Sequence, residues 1–248
     1  MFWKSSQFLN LFVVVEKIGC GKVNMLVSHM KKFIFLKTVK TGSTSTEIFL
    51  QDQCVAPGTY RDLSEINEWL EKPLISEFGI VGSRGPTAHI NNNFFNHMHG
   101  SQIRNEIGSD IWQEYFKVAN IRNPWSKVIS HFFYAGISRE INPKNLSQLE
   151  LRKLASEYAL NYNIKEVECF FKAPVESMDF YIRFENLADD MRFLSLRLGI
   201  PTDRNLPYFK AGSWSSSSTA YRDFFTESAK NHVGDVYQGW IRNFKYSF

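Results

Sequence analysis

Phe33-Ile34-Phe35-Leu36 followed by Lys37-Thr38-Val39-Lys40-Thr41-Gly42-Ser43-Thr44-Ser45 is the stretch that decides how the chain is read. A compact apolar run that stops at a Lys-, Thr- and Ser-rich stretch with one glycine reads as a strand entering a loop. Thr44 and Glu47 stand at capping-box spacing, a hydroxyl and a carboxylate placed to satisfy the orphan amides of a helix start, and Ile48 and Phe49 follow as inward-facing residues. The unit is β-loop-α.

Working outward, the same order recurs. Tyr115–Ile121 carries Phe116, Val118 and Ile121 as a buried strand that ends at Arg122; Asn123 suits an N-cap and Pro124 the first helical position, while Val128, Ile129, Phe132 and Phe133 recur at helical spacing. A third strand is expected over Asp179–Phe184, then a helix over Leu187, Met191, Leu194 and Leu198 that Gly199 and Pro201 stop. Strands alternating with helices predict an α/β fold: a mainly parallel sheet flanked by helices, with ligands bound beyond the carboxyl ends of the strands. Between these units Asp62–Lys72 reads as helical through Ile66, Trp69 and Leu70, Gly79–Asn96 as a Gly/Asn-rich connection, and the Ser-rich Ala211–Thr219 as a mobile loop. Internal repeats are not evident. The expected organisation is one domain over residues 33–248, preceded by a segment, residues 1–32, without an assigned role.

With 248 residues and 44% hydrophobic content the chain can bury a real core. Its formal charge of +4 is too small, and its Lys and Arg too dispersed, to make a nucleic-acid stripe. Cys20, Cys54 and Cys169 are odd in number and lack CxxC spacing, which argues against a disulfide framework and a cysteine zinc site. The apolar stretch Phe8–Val15 falls short of the ~20 residues of a membrane span and lacks the basic start and small-residue cleavage site of a signal peptide. A cytoplasmic protein without a membrane span is expected.

Three constellations carry chemistry. In Lys40-Thr41-Gly42-Ser43-Thr44-Ser45, a lysine, short hydroxyls and the amides of a helix N-terminus together suit a phosphate or sulfate group. It is not a Walker A loop, since its lysine precedes the glycine. In Arg122–Ser130 the arginine is a planar charge able to grip a phosphate bidentately, and Ser130, two turns along the helix, adds a hydroxyl. His97-Met98-His99 supplies side chains that titrate near working pH and can act as a base. A surface turn or a metal site is the alternative for the histidines, but His29, His89, His131 and His232 add no ligand cluster in sequence, so no metal is expected.

These motifs resemble those of the sulfotransferases that use 3′-phosphoadenosine-5′-phosphosulfate (PAPS), in particular the glycan-modifying, heparan-sulfate 2-O-like branch. Phe35–Ser45 looks like the family's 5′-phosphosulfate loop, with Val39 where the family usually carries proline, and Ile121–Ser130 looks like its 3′-phosphate motif, with arginine and serine eight positions apart. Leu206–Lys210, Tyr221–Phe225 and Phe244–Phe248 resemble the family's C-terminal part, and Arg183–Leu187 a further stretch of it. The resemblance implies a P-loop-like sulfotransferase fold and transfer of a sulfuryl group from PAPS to an acceptor hydroxyl, on a glycan, without a metal. It implies that Lys40, Thr41, Gly42, Ser43, Thr44 and Ser45 hold the 5′-phosphosulfate, with Lys40 catalytic as well. Arg122 and Ser130 would hold the 3′-phosphate, Lys210, Ser213 and Tyr221 would touch the nucleotide, and His97, with His99 second, would be the base. The rival readings are a P-loop-type kinase using ATP and a non-catalytic glycan- or nucleotide-binding module on the same fold.

Overall fold

The computed structural model describes residues 25–58, 70, 72–83, 90, 92–95, 98–137, 145–162, 178–202 and 220–248. They divide into two compact units, one within Gly21–Ile121 and Glu168–Phe209, the other within Arg122–Val167 and Lys210–Phe248.

The first unit is built on a six-stranded sheet of β1 (Met25–Ser28), β2 (Phe33–Leu36), β3 (Leu74–Ser76), β4 (Gly79–Val81), β5 (Phe116–Ile121) and β6 (Phe180–Arg183), in the order β3-β4-β1-β2-β5-β6. The sheet is mixed, which corrects the expectation of a mainly parallel one: β1 pairs antiparallel with β2 and β4, and β3 with β4, while β2–β5 and β5–β6 are parallel. Connection length explains the split. β1 reaches β2 through His29–Lys32, where Lys32 takes φ 49°, and β3 reaches β4 through Glu77 and Phe78; turns this short permit only antiparallel neighbours, whereas parallel ones require a crossover. Gly79–Asn96 is therefore not wholly a connection, because its first residues form β4. β1 likewise comes from the segment before residue 33.

Alternation along the strands makes two cores. Leu26, Phe33, Phe35, Val118 and Ile182 pack on one face against Phe49 and Leu50 of α1 (Ser43–Leu50) and Met191, Leu194 and Leu198 of the helix Leu187–Leu198. Met25, Val27, Ile34, Leu36 and Ala119 pack on the other face against Ile103 and Trp112. These last two lie on α2 (Gly100–Ile107) and α3 (Ser109–Glu114), helices that periodicity did not point to. All four residues of β2 are buried, so each contributes roughly 1.5–3 kcal/mol of transfer free energy, which is why this strand reads as an unbroken apolar run. Helix Leu187–Leu198 ends as expected at Gly199, whose φ of 61° is the left-handed cap that glycine favours.

The second unit is helical in its described residues. It holds α4 (Pro124–Ile137), α5 (Gln148–Leu160), a 3₁₀ turn (Tyr221–Phe224), α7 (Glu227–Val236) and α8 (Gln238–Phe244), numbering Leu187–Leu198 as α6. Ser147 caps α5 by accepting from the Glu150 amide at 3.3 Å, and Ser156 ties α5 to the 3₁₀ turn by donating to the Phe224 carbonyl at 2.9 Å. Asp62–Lys72, apart from Leu70 and Lys72, and Ala211–Thr219 lie outside the described residues. Among the described residues no helix is long and apolar enough to cross a membrane.

Candidate functional site

The Lys40–Ser45 segment links β2 to α1, and because β2 and β5 run parallel, it leaves the sheet at the edge where β5 ends at Ile121. Its shape rests on two left-handed residues, Lys40 at φ 59° and Gly42 at φ 77°. For lysine this conformation is strained, and strain of that kind gathers at functional turns. At Gly42 a side chain is excluded twice over: by φ, and because a Cβ there would stand 2.9 Å from Phe184 Cδ2.

The loop's hydroxyls turn inward. Thr41 Oγ1 donates to the Thr38 carbonyl at 3.1 Å and Ser43 Oγ to the same oxygen at 2.5 Å, while Thr38 Oγ1 donates to the Asn120 carbonyl of β5 at 2.6 Å. Asn120 Nδ2 in turn donates to Thr46 Oγ1 at 3.0 Å, so the turn is bonded to the neighbouring strand and to its own helix. Thr41 and Ser43 are buried; Lys40, Gly42 and Thr44 are half-buried. The expected Thr44–Glu47 capping box is absent. The helix begins two residues earlier, with Gly42 at the N-cap and no side-chain cap, and Glu47 is buried with its Oε2 2.6 Å from Lys37 Nζ. A strand-end ammonium competes successfully for a buried carboxylate because it supplies an opposite charge where an amide supplies only a dipole. The start of α1, with no side-chain cap, therefore presents the Ser43 and Thr44 amides and its positive dipole end beside Lys40, while the Ser45 amide donates to the Gly42 carbonyl at 3.1 Å.

In the second unit, Arg122 opens a turn built from side chains. The Asn123 carbonyl accepts from the Lys127 amide at 2.9 Å, its Oδ1 accepts from the Ser126 amide at 3.3 Å, and Pro124 occupies the first helical position, all as the sequence led one to expect. Asn123 Nδ2 donates to the Ser247 carbonyl at 2.8 Å. Arg122 is 6% exposed, and its Nε and Nη2 both donate to Ser126 Oγ, at 3.0 and 2.8 Å. Ser130 is half-buried on α4. Tyr221 opens the 3₁₀ turn with the Arg222 guanidinium 4.8 Å above its ring and the Phe248 ring 5.9 Å away.

His99 precedes α2; its amide donates to Gln102 Oε1 at 2.8 Å and its carbonyl accepts from the Ile103 amide at 2.9 Å, so it serves as the helix N-cap. His97, Lys210 and Ser213 lie outside the described residues, as do Cys20 and Cys169. Cys54 is a free, buried cysteine; burial first, then the negative charges of Asp52 and Glu47, push its thiol well above the usual range, which keeps it unreactive. Among the described residues no group of three or more His, Cys, Asp or Glu side chains is placed to hold a metal ion.

Comparison with known proteins gives no match. No family model fits the chain, and no curated protein or solved structure is similar to it.

Several contacts that shape these turns were not legible in the sequence. Lys37 and Glu47 are ten positions apart with no periodic relation, and Phe184 reaches Gly42 from a distant strand end. Ser126 had a signal: a hydroxyl one helical turn after an arginine at a strand end, the spacing at which side chains meet.

Proposed function

We propose that the chain is a sulfotransferase of P-loop-like sulfotransferase fold that moves a sulfuryl group from PAPS to a hydroxyl, on a glycan by its resemblance. The observation that carries the reading is the left-handed pair Lys40 and Gly42 leading into an α1 N-terminus with no side-chain cap. Such a turn, with a lysine in it, is chemistry for a tetrahedral anion. The buried Arg122 held by Ser126 supports a second, phosphate-binding role.

In this reading the amides of Gly42, Ser43 and Thr44 hold the 5′-phosphosulfate while the Ser45 amide, which donates to the Gly42 carbonyl at 3.1 Å, closes the turn, and Lys40 stabilises negative charge on the bridging oxygen as its bond to sulfur breaks. The inward bonds of Thr41 and Ser43 give their hydroxyls a different task from direct contact, which is to keep the turn in shape before the donor arrives. Arg122 and Ser130 take the 3′-phosphate that separates PAPS from ATP. His97, or His99, takes the acceptor's proton as its oxygen bonds to sulfur, and adenosine 3′,5′-bisphosphate departs.

Incubating the protein with ³⁵S-labelled PAPS and a panel of glycan, small-molecule and peptide acceptors in excess EDTA tests this directly. Label transferred to an acceptor hydroxyl is the expected result. Transfer of the γ-phosphate of ATP that requires Mg²⁺, with none from PAPS, would replace the reading by that of a kinase.

A further inference from the structure

We infer that Ser126 is a positioning residue for the 3′-phosphate grip, orienting the Arg122 guanidinium before any ligand is present; this rests on the reading of Arg122 as a phosphate ligand. One serine oxygen accepts from both Nε and Nη2, at 3.0 and 2.8 Å, and the two residues are 6% and 8% exposed. A two-point contact fixes which edge of the guanidinium faces the serine, not only its distance. Arginine carries about 2 kcal/mol of rotamer entropy, so a fork fixed beforehand loses less on binding an anion. Ser126 is itself fixed: its amide donates to Asn123 Oδ1 at 3.3 Å, and the Asn123 carboxamide donates to the Ser247 carbonyl at 2.8 Å.

The choice of a hydroxyl has a second consequence. A carboxylate at the same place would orient the arginine equally well but would add a negative charge beside the incoming phosphate. A serine oxygen orients it and adds none.

The test is calorimetry of adenosine 3′,5′-bisphosphate and of AMP on the wild-type protein and on Ser126→Ala and Ser126→Thr. Ser126→Ala should weaken the bisphosphate by about 5- to 30-fold while AMP stays within about twofold, and Ser126→Thr, which keeps the oxygen, should restore most of the loss. Ser126→Cys, nearly isosteric and a poor acceptor, should match Ser126→Ala and serves if the alanine variant does not fold. Wild-type preference for the bisphosphate that survives in Ser126→Ala and Ser126→Cys, or equal weakening of both nucleotides, overturns the positioning role. A wild-type protein that binds both nucleotides equally overturns instead the 3′-phosphate reading of Arg122 on which it rests.

Discussion

In the Lys40–Ser45 turn the backbone sets the geometry: two positive φ angles, a glycine with no room for a Cβ, and a Thr38 carbonyl that collects the Thr41 and Ser43 hydroxyls. In the Arg122–Ser130 segment side chains set it: an Asn cap, a Pro at the first helical position and a Ser that grips the Arg. The first design presents amides and holds its lysine in a strained conformation; the second presents a side chain and aims it. Backbone designs are sensitive to what supports them from beneath, side-chain designs to the loss of single polar atoms.

The largest effect on stability is expected beneath the first turn. Lys37→Met removes the ammonium 2.6 Å from a Glu47 carboxylate that is 1% exposed, and should cost about 3–5 kcal/mol, read as a lowered urea midpoint. A cost under about 1 kcal/mol would mean that the pair does not support the turn.

Lys40→Gly separates the charge from the backbone. Glycine accepts φ 59° without strain, so stability should hold or rise by up to about 1 kcal/mol, while sulfuryl transfer should fall about 10²- to 10³-fold with the loss of the ammonium. Full activity in this variant would leave Lys40 a purely conformational residue. The smallest effect is expected in the second turn: Asn123→Ala removes the cap and the bond to Ser247, and should cost about 0.5–2 kcal/mol of stability in the same urea titration. A loss as large as that of Lys37→Met would erase the contrast between the two designs.

The strands and helices that the sequence announced are those with punctuation at their ends. Phe33–Leu36 stops at a polar run, α4 starts at Asn123-Pro124, and α6 ends at Gly199. The antiparallel half of the sheet had no such marks. β3 and β4 are three residues each, too short for a period, and β4 begins at a glycine that reads as loop. β1 is four residues whose burial comes from pairing with both β2 and β4. The Thr44–Glu47 spacing was legible but misleading, because it counts only local partners and Lys37 is a partner across the turn. The expectation that Lys40–Ser45 holds an anion rests on residue types; the inward direction of the Thr41 and Ser43 hydroxyls was not legible, since it depends on the Thr38 carbonyl and its tie to β5.

The central claim is that this chain recognises a nucleotide carrying both a 5′-phosphate group and a 3′-phosphate. Calorimetry of adenosine 3′,5′-bisphosphate, AMP and ATP on the wild-type protein and on Arg122→Ala tests it most directly. The account predicts that the bisphosphate binds the wild-type protein far more tightly than either AMP or ATP, and that Arg122→Ala reduces that affinity by about 2–4 kcal/mol while leaving AMP nearly unchanged. Equal affinity for the three nucleotides, or a bisphosphate affinity untouched by the loss of Arg122, would contradict it.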